Sequence, residues 1–352
     1  MTTDALLTIE DLEVSYSRGL GRTPLVAVSD VSLTVGRGET VSIVGESGSG
    51  KSTIGSAVLG LHPAARGTIT LDGADITHLT PRRRGALRST LQAVFQDPFS
   101  SLDPSQTIGD AIAEPLRVAE PRLPAEERTR RVVEVLAKVG IGRAAMAKYP
   151  AEFSGGQRQR IAIARALVLE PKIVVCDEAV SALDVSVQAQ VLNLLDALQR
   201  EKGTSYIFIS HNMAVVRHIS DRVVVLYRGR IMEEGPAVDV CDRPAHPYTR
   251  SLLASVPVPD VVVQRARREA RAVATASTGL APKDGVGCPF APRCPFAIAA
   301  CVEATPPLVE VGDGRRAACI RLGELPPGDG VGPLAVRPAV AEAAAIPSPS
   351  AS

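Results

Sequence analysis

Hydrophobic and polar positions change period repeatedly along the first 255 residues. Short runs that alternate, or are apolar throughout, read as strands, and longer runs with an apolar residue every third or fourth position read as helices. Leu6–Ser15 alternates and leads into Tyr16, Val26–Val35 alternates again, and Thr40–Val44 (TVSIV) reads as a buried strand. Ser52–Leu61 has helical spacing. Gly67–Asp72 and Ala74–Ile76 form a hairpin through Asp72-Gly73, a dipeptide suited to a tight turn. Pro81–Arg88 is basic and opens a helix, and Leu91–Phe95 is a short strand that ends at Gln96. The character then shifts. Thr107–Leu116 and Ala125–Val139 are helical and punctuated by prolines 98, 104, 115, 121 and 124, which predicts a helical insertion over about 97–157. Arg158–Leu169 is an amphipathic helix. Lys172–Cys176 (strand), Val185–Lys202 (helix) and Thr204–Ile209 (strand) follow, then a hairpin of Arg222–Tyr227 and Arg230–Glu234 through Arg228-Gly229. A last helix opens at His246 and runs to Val256. Strands alternating with helices predict an α/β fold with a mainly parallel sheet.

Beyond residue 255 the pattern thins. Residues 256–286 read as a linker, in which Val261–Ala274 is rich in Arg and Ala and compatible with a helix. Residues 287–321 hold four of the six cysteines, and 322–352 form a Pro/Ala/Gly-rich tail with little to bury.

Composition removes several classes of function. Apolar content of 45% and charged content of 22% are ordinary for a soluble globular chain. The net charge of +1 and the absence of Trp argue against nucleic acid as a partner. No stretch approaches the ~20 apolar residues of a membrane-spanning helix. The N-terminus has no basic segment followed by an apolar one, so no signal peptide is expected.

The chemistry centres on Gly45–Ser52, GESGSGKS, which fits G-x-x-x-x-G-K-[ST] between a strand and a helix. Gly45, Gly48 and Gly50 let the backbone curl so that successive N–H groups, those of Glu46, Ser47 and Ser49 included, can face a phosphate. The helix N-terminus adds partial positive charge. Lys51 can reach the outer phosphates, and Ser52 offers a hydroxyl to Mg²⁺. The same letters would also suit a plain Gly/Ser-rich turn; the flanking strand and helix favour the phosphate loop. Asp177-Glu178 ends the strand IVVC, which is expected to lie next to the phosphate-loop strand. There Asp177 could hold Mg²⁺ opposite Ser52, and Glu178 could orient or deprotonate an attacking water. Taken alone, such a pair is as often a strand-ending turn.

In this order, GESGSGKS, Gln96 after a strand, FSGGQ, IVVCDE, SALD and His211 after the next strand resemble the ATP-binding subunits of ABC transporters. HPYTRSLLASVP followed by CPFAPRCPFA narrows the resemblance to the oligopeptide/dipeptide (and nickel) importer branch. The resemblance implies a P-loop NTPase core with a RecA-like sheet, an antiparallel β subdomain, the helical insertion and a small Cys-rich extension. It implies that Gln96 reaches Mg²⁺ and the water, that His211 contacts the γ-phosphate, and that Tyr16 stacks on adenine, although Tyr16 also suits a simple strand end. It implies that Ser154, Gly155, Gly156 and Gln157 close over ATP held by a second cassette, identical or not, with Asp184 coupling the two sites. Phe153 stands where the family has Leu, and Ala179-Val180 where it has Pro-Thr, which could loosen the turn that aims Glu178.

The implied assembly pairs this subunit with a second ATPase, two membrane permeases and an extracytoplasmic substrate-binding protein, at the cytoplasmic face of the inner membrane. Its implied work is ATP-driven import of di- or oligopeptides. A soluble ABC-type ATPase with no transport role, or an importer of nickel or another small solute, are the alternatives.

The cysteine segment admits three readings. Cys288, Cys294, Cys301 and Cys319 could ligate a 4Fe-4S cluster, which tolerates irregular spacing. They could hold structural Zn²⁺, although the tight C-x₂₋₄-C pairs usual for zinc are absent. They could also be reduced structural thiols. The resemblance favours the cluster.

Overall fold

A computed structural model describes residues 5–19, 23–97, 102–181, 183–255, 279–282 and 285–326. The reading of Val261–Ala274 as helix-compatible, and most of the proposed linker and tail, lie outside these residues.

Twelve strands and nine α-helices are formed among the described residues. In chain order they begin with β1 (Ala5–Tyr16), β2 (Leu25–Gly36), β3 (Thr40–Val44), α1 (Lys51–Leu59), β4 (Arg66–Leu71) and β5 (Ala74–Asp75). There follow α2 (Pro81–Arg84), β6 (Leu91–Val94), α3 (Ile108–Ala119), α4 (Ala125–Lys138), α5 (Gly155–Leu167), β7 (Ile173–Asp177) and α6 (Val185–Lys202). The rest are β8 (Ser205–Ser210), α7 (Met213–Ile219), β9 (Arg222–Tyr227), β10 (Arg230–Pro236), α8 (Ala237–Asp242), α9 (Pro247–Ala254), β11 (Val309–Gly312) and β12 (Arg315–Ala317).

Two sheets result. An antiparallel one runs β2-β1-β4-β5, and a larger one runs β11-β12-β10-β9-β3-β8-β7-β6. Strands β9, β3, β8, β7 and β6 are mutually parallel; β10, β12 and β11 add on antiparallel. The parallel strands are apolar nearly throughout because both faces are covered. Val41, Ile43, Ile173, Val175, Ile207 and Ile209 pack with the inner face of the small sheet, and Val174, Cys176, Tyr206 and Phe208 pack toward the helices. Both hairpin turns fall where the dipeptides place them. Asp72 and Gly73 have φ of 52° and 79°, and Arg228 and Gly229 have 46° and 77°, the left-handed pair that matches strand twist.

Three features depart from the expectation. The Asp177 strand is not next to the phosphate-loop strand, because β8 lies between β3 and β7. Chain order does not fix spatial order in a sheet joined by helical crossovers. Helices α7 and α8 were too short to give a period. The cysteine segment also carries a β11–β12 hairpin that the sequence reading did not place, and it extends the main sheet through β12 and β10, pairing Glu233 with Ala317. Cys288, Phe290, Ala291, Cys294 and Cys301 are buried in one cluster with Val44, Tyr227 and Tyr248.

Candidate active site

The phosphate loop follows β3, and its glycines are required by geometry. Gly45 has φ 153°, and a Cβ there would lie 2.1 Å from the Leu226 carbonyl oxygen. Gly50 has φ 103°, and a Cβ would lie 2.6 Å from the Ala27 carbonyl oxygen. The loop therefore rests on β9 and β2, with the Gly229 N–H donating to the Ser49 carbonyl at 2.8 Å. Ser47 and Gly48 are exposed at its tip.

Lys51 is buried, and its Nζ donates to the carbonyls of Gly45 and Glu46, both at 2.9 Å. Burial lowers its pKa from the ordinary lysine value, while Glu178, Asp177 and Glu46 act to raise it. Ser52 Oγ donates to Asp177 Oδ1 at 2.9 Å. So hydroxyl and carboxylate face each other although a strand separates β3 from β7. Burial raises the Asp177 pKa, opposed by the Ser52 hydrogen bond. A hydroxyl and a carboxylate beside a phosphate loop are the donors a Mg²⁺ ion takes, so the residues present fit that ion.

Glu178 adopts φ 49°, a left-handed conformation rare for a residue with a side chain. Its N–H is pinned to the Ile209 carbonyl at 3.0 Å. Its Oε1 lies 3.2 Å from His211 Nδ1, just past the end of β8. The turn after it, where Pro-Thr is replaced by Ala179-Val180, is held in other ways. Both residues are buried, and the Ser181 N–H and hydroxyl donate to the Glu178 carbonyl.

Gln96 stands exposed two residues past the end of β6. The adjacent Phe95 carbonyl accepts from Gln159 Nε2 of α5 at 3.3 Å, which ties this segment to the helical subdomain. Tyr16 is half-buried against α1. Its hydroxyl pairs with Thr53 Oγ1 at 3.1 Å, and its ring meets that of His62 edge-on.

Ser154 caps α5, accepting from the Gln157 N–H at 3.4 Å while the Ser154 N–H donates to Gln157 Oε1 at 3.0 Å. This reciprocal pair is a capping box. A Cβ at Gly156 would meet Val187 of α6 at 3.1 Å, so the SGGQ turn sits beside the start of α6. There Asp184 caps the helix by accepting from the Val187 N–H at 2.9 Å. Ser154, Gly155, Gln157, Asp184 and Val185 are all exposed, Val185 at 84%. The structure thus gathers the residues into two groups. Gly45–Ser52, Asp177, Glu178 and His211 make one; Ser154–Gln157 and Asp184 make another, open to solvent.

The four late cysteines line one small cavity of about 20 Å³ with His246, Phe296 and Arg321. All are free thiols, and burial pushes Cys288 and Cys294 up to about 11. Among the described residues, no group of three or more His, Cys, Asp or Glu stands where it could hold a metal ion. The thiols expected as metal ligands are therefore brought together but not set in ligating geometry.

Sequence reasoning missed Arg293. Its guanidinium makes two bonds to the Glu46 carboxylate, at 2.8 and 2.9 Å. No motif spacing links two positions so far apart in the chain.

Comparison with known proteins adds three findings. Residues 28–181 match the ABC transporter family model, and 232–301 match the model of the oligopeptide/dipeptide transporter C-terminal region. A putative peptide import ATP-binding protein of Brucella abortus (strain 2308) is 49% identical over 316 residues, 88% of this chain and 91% of that one. The oligopeptide transport ATP-binding protein OppF of Escherichia coli (strain K12) is 44% identical over 327 residues, covering 91% and 97%. Among solved structures, the ATP-binding cassette MJ0796, dimeric in a post-hydrolysis state with ADP and Pi, superposes with a TM-score of 0.61. It is 29% identical and covers 66% of this chain and 98% of that one.

Proposed function

Because the chain belongs to the ATP-binding subunits of ABC transporters, in the branch with the oligopeptide/dipeptide C-terminal region, we propose that its ATP hydrolysis powers import of di- or oligopeptides. The observation that carries the chemistry is the convergence of Lys51, Ser52–Asp177 and Glu178–His211 at the ends of β3, β7 and β8.

The loop amides and Lys51 hold the ATP phosphates, and Lys51 exchanges its two carbonyl partners for phosphate oxygens. Mg²⁺ held by Ser52, Asp177 and Gln96 would neutralise charge on the outer phosphates. Glu178, aimed by its left-handed backbone, accepts a proton from the attacking water. His211 keeps the Glu178 carboxylate in place and faces the γ-phosphate. Tyr16 packs against the adenine.

Ser154–Gln157 offers a helix N-terminus to the phosphates of ATP bound on a second ATPase subunit. The exposure of Asp184 and Val185 beside it supports a face that closes against that subunit. Permease subunits dock in a cavity of about 570 Å³ between β6 and helices α3 and α5, where Phe95 and Val118 are exposed. Among the described residues no helix is long and apolar enough to cross a membrane. These permeases would therefore hold the chain at the cytoplasmic face, and a substrate-binding protein would deliver the peptide from outside.

The test is Glu178→Gln in the full chain with MgATP. It should bind ATP and accumulate as an ATP-bound dimer with turnover nearly lost. Wild-type turnover would sink the base assignment.

We further propose that the four thiols take up a 4Fe-4S cluster, or a zinc ion, when loaded. The support is their shared cavity and free state; loading requires them to close in and deprotonate. No catalytic step involves this site. Iron, sulfide and zinc analysis of anaerobically purified protein decides it, and metal-free protein would leave the cysteines as structural thiols.

A further inference from the structure

The cysteine-rich extension touches the ATP site directly, through one side chain. Phe290 is buried against Tyr227 and Tyr248, with ring centroids 5.5 and 5.3 Å away. A tight turn follows, with the Arg293 N–H donating to the Phe290 carbonyl at 2.9 Å. The turn delivers the Arg293 guanidinium over the rings of Phe290 and Tyr227, at 5.6 and 5.9 Å. From there it grips both oxygens of Glu46, the first residue after Gly45 in the phosphate loop.

Glu46 is held at two further points. Its N–H donates to Tyr248 Oη of α9 at 2.9 Å, and its carbonyl accepts from Lys51 Nζ at 2.9 Å. One loop residue thus ties together the extension, α9 and the phosphate-binding lysine. The Arg293 pair is planar and two-pronged, so it fixes direction as well as charge. Without it, a free carboxylate would sit on the phosphate loop, repelling polyphosphate and competing for Lys51.

We propose that Arg293 is a positioning residue for the phosphate loop, by which the cysteine-rich extension sets the affinity for ATP. The inference rests on Gly45–Ser52 being the ATP site. Both partners are about half exposed, so the effect is moderate.

The experiment is a double-mutant cycle on the full chain, with ATP affinity by titration and steady-state ATPase kinetics. Arg293→Ala should weaken ATP binding and raise KM by roughly tenfold, with kcat at saturating ATP nearly unchanged. Arg293→Lys keeps the charge without the fork and should fall between. In a Glu46→Gln background, Arg293→Ala should have little further effect, because the carboxylate it neutralises is gone. An equal loss in both backgrounds would show general loosening of the extension and overturn the proposal. So would wild-type affinity in Arg293→Ala. A wild-type chain that bound no ATP would instead overturn the assignment of the site itself, and this inference with it.

Discussion

Glu178 shows how much a single backbone conformation can decide. A residue with a side chain at φ 49° is strained unless its surroundings hold it, and here the Ile209 carbonyl, buried Ala179 and Val180, and Ser181 do so. The strain aims the carboxylate at His211. A proton acceptor placed this way contributes ~10²–10⁴-fold to rate. Glu178→Gln keeps the shape and removes the basicity, so kcat should fall by that order while ATP affinity stays within about threefold. Rapid-quench measurement of a single turnover checks it; an equal fall in affinity would show that the side chain binds rather than reacts. The residues we assign to this chemistry can be picked out in the sequence because each stands at a strand end in a fixed order. The turn after Glu178 cannot. Pro-Thr to Ala-Val reads as a loss of rigidity, whereas the structure buries Ala179 and Val180 and bonds Ser181 back to the Glu178 carbonyl, contacts that no spacing announces. Arg293 was silent for a different reason: its partner lies in a segment that only the folded extension brings near.

Helix α5 illustrates the same division between elements. From SGGQ the sequence reads its start as an anion-receiving turn, and the structure shows Ser154 and Gln157 satisfying each other there as a capping box. The two roles make separable demands. Ser154→Ala removes the cap, which costs ~1 kcal/mol of stability at an exposed site. Should the turn also receive phosphate from a second subunit, the variant loses ATP-driven dimerisation well beyond what that stability loss explains. Comparing the melting temperature with the ATP-dependent sedimentation of a Glu178→Gln/Ser154→Ala double variant separates them. A dimer of undiminished strength would confine Ser154 to capping. Long or wholly apolar elements such as β7, β8 and α6 were readable from period alone. Strands β11 and β12 were not, because a strand of three or four residues carries too few positions to show alternation, and its identity comes from the edge of β10 that it covers.

At the scale of the molecule, the phosphate loop is held by a part of the chain about 200 residues from it in sequence. Glu233, buried on β10, accepts from the N–H groups of Ala245 and His246 at 2.8 and 2.9 Å and so fixes the entry to α9. Helix α9 carries Tyr248, whose hydroxyl accepts from the Glu46 N–H. Burial raises the Glu233 pKa above the ordinary carboxylate value, while the bonds from the Ala245 and His246 N–H groups and the nearby Thr249 hydroxyl and Arg315 act to lower it. The sign follows from proton counting. Between the unfolded value near 4.5 and the raised folded value, the folded chain holds a proton that the unfolded chain has lost. Stability from this group is therefore present on the acidic side of that window and is lost as pH rises through the folded pKa. Glu233→Gln removes the titration and, having one acceptor oxygen in place of two, leaves one of the two N–H groups unpaired. The variant should be less stable than wild type at every pH, by ~1–3 kcal/mol for a buried unpaired donor. The gap should narrow as pH rises from 4.5, since only the wild type pays for ionising. Urea unfolding of both proteins across that range tests it, and a gap that widened with pH would mean that the ionised carboxylate is the better-held form. Because α9 also anchors Glu46, the same variant should weaken ATP binding even where it remains folded, which a purely local role for Glu233 would not produce.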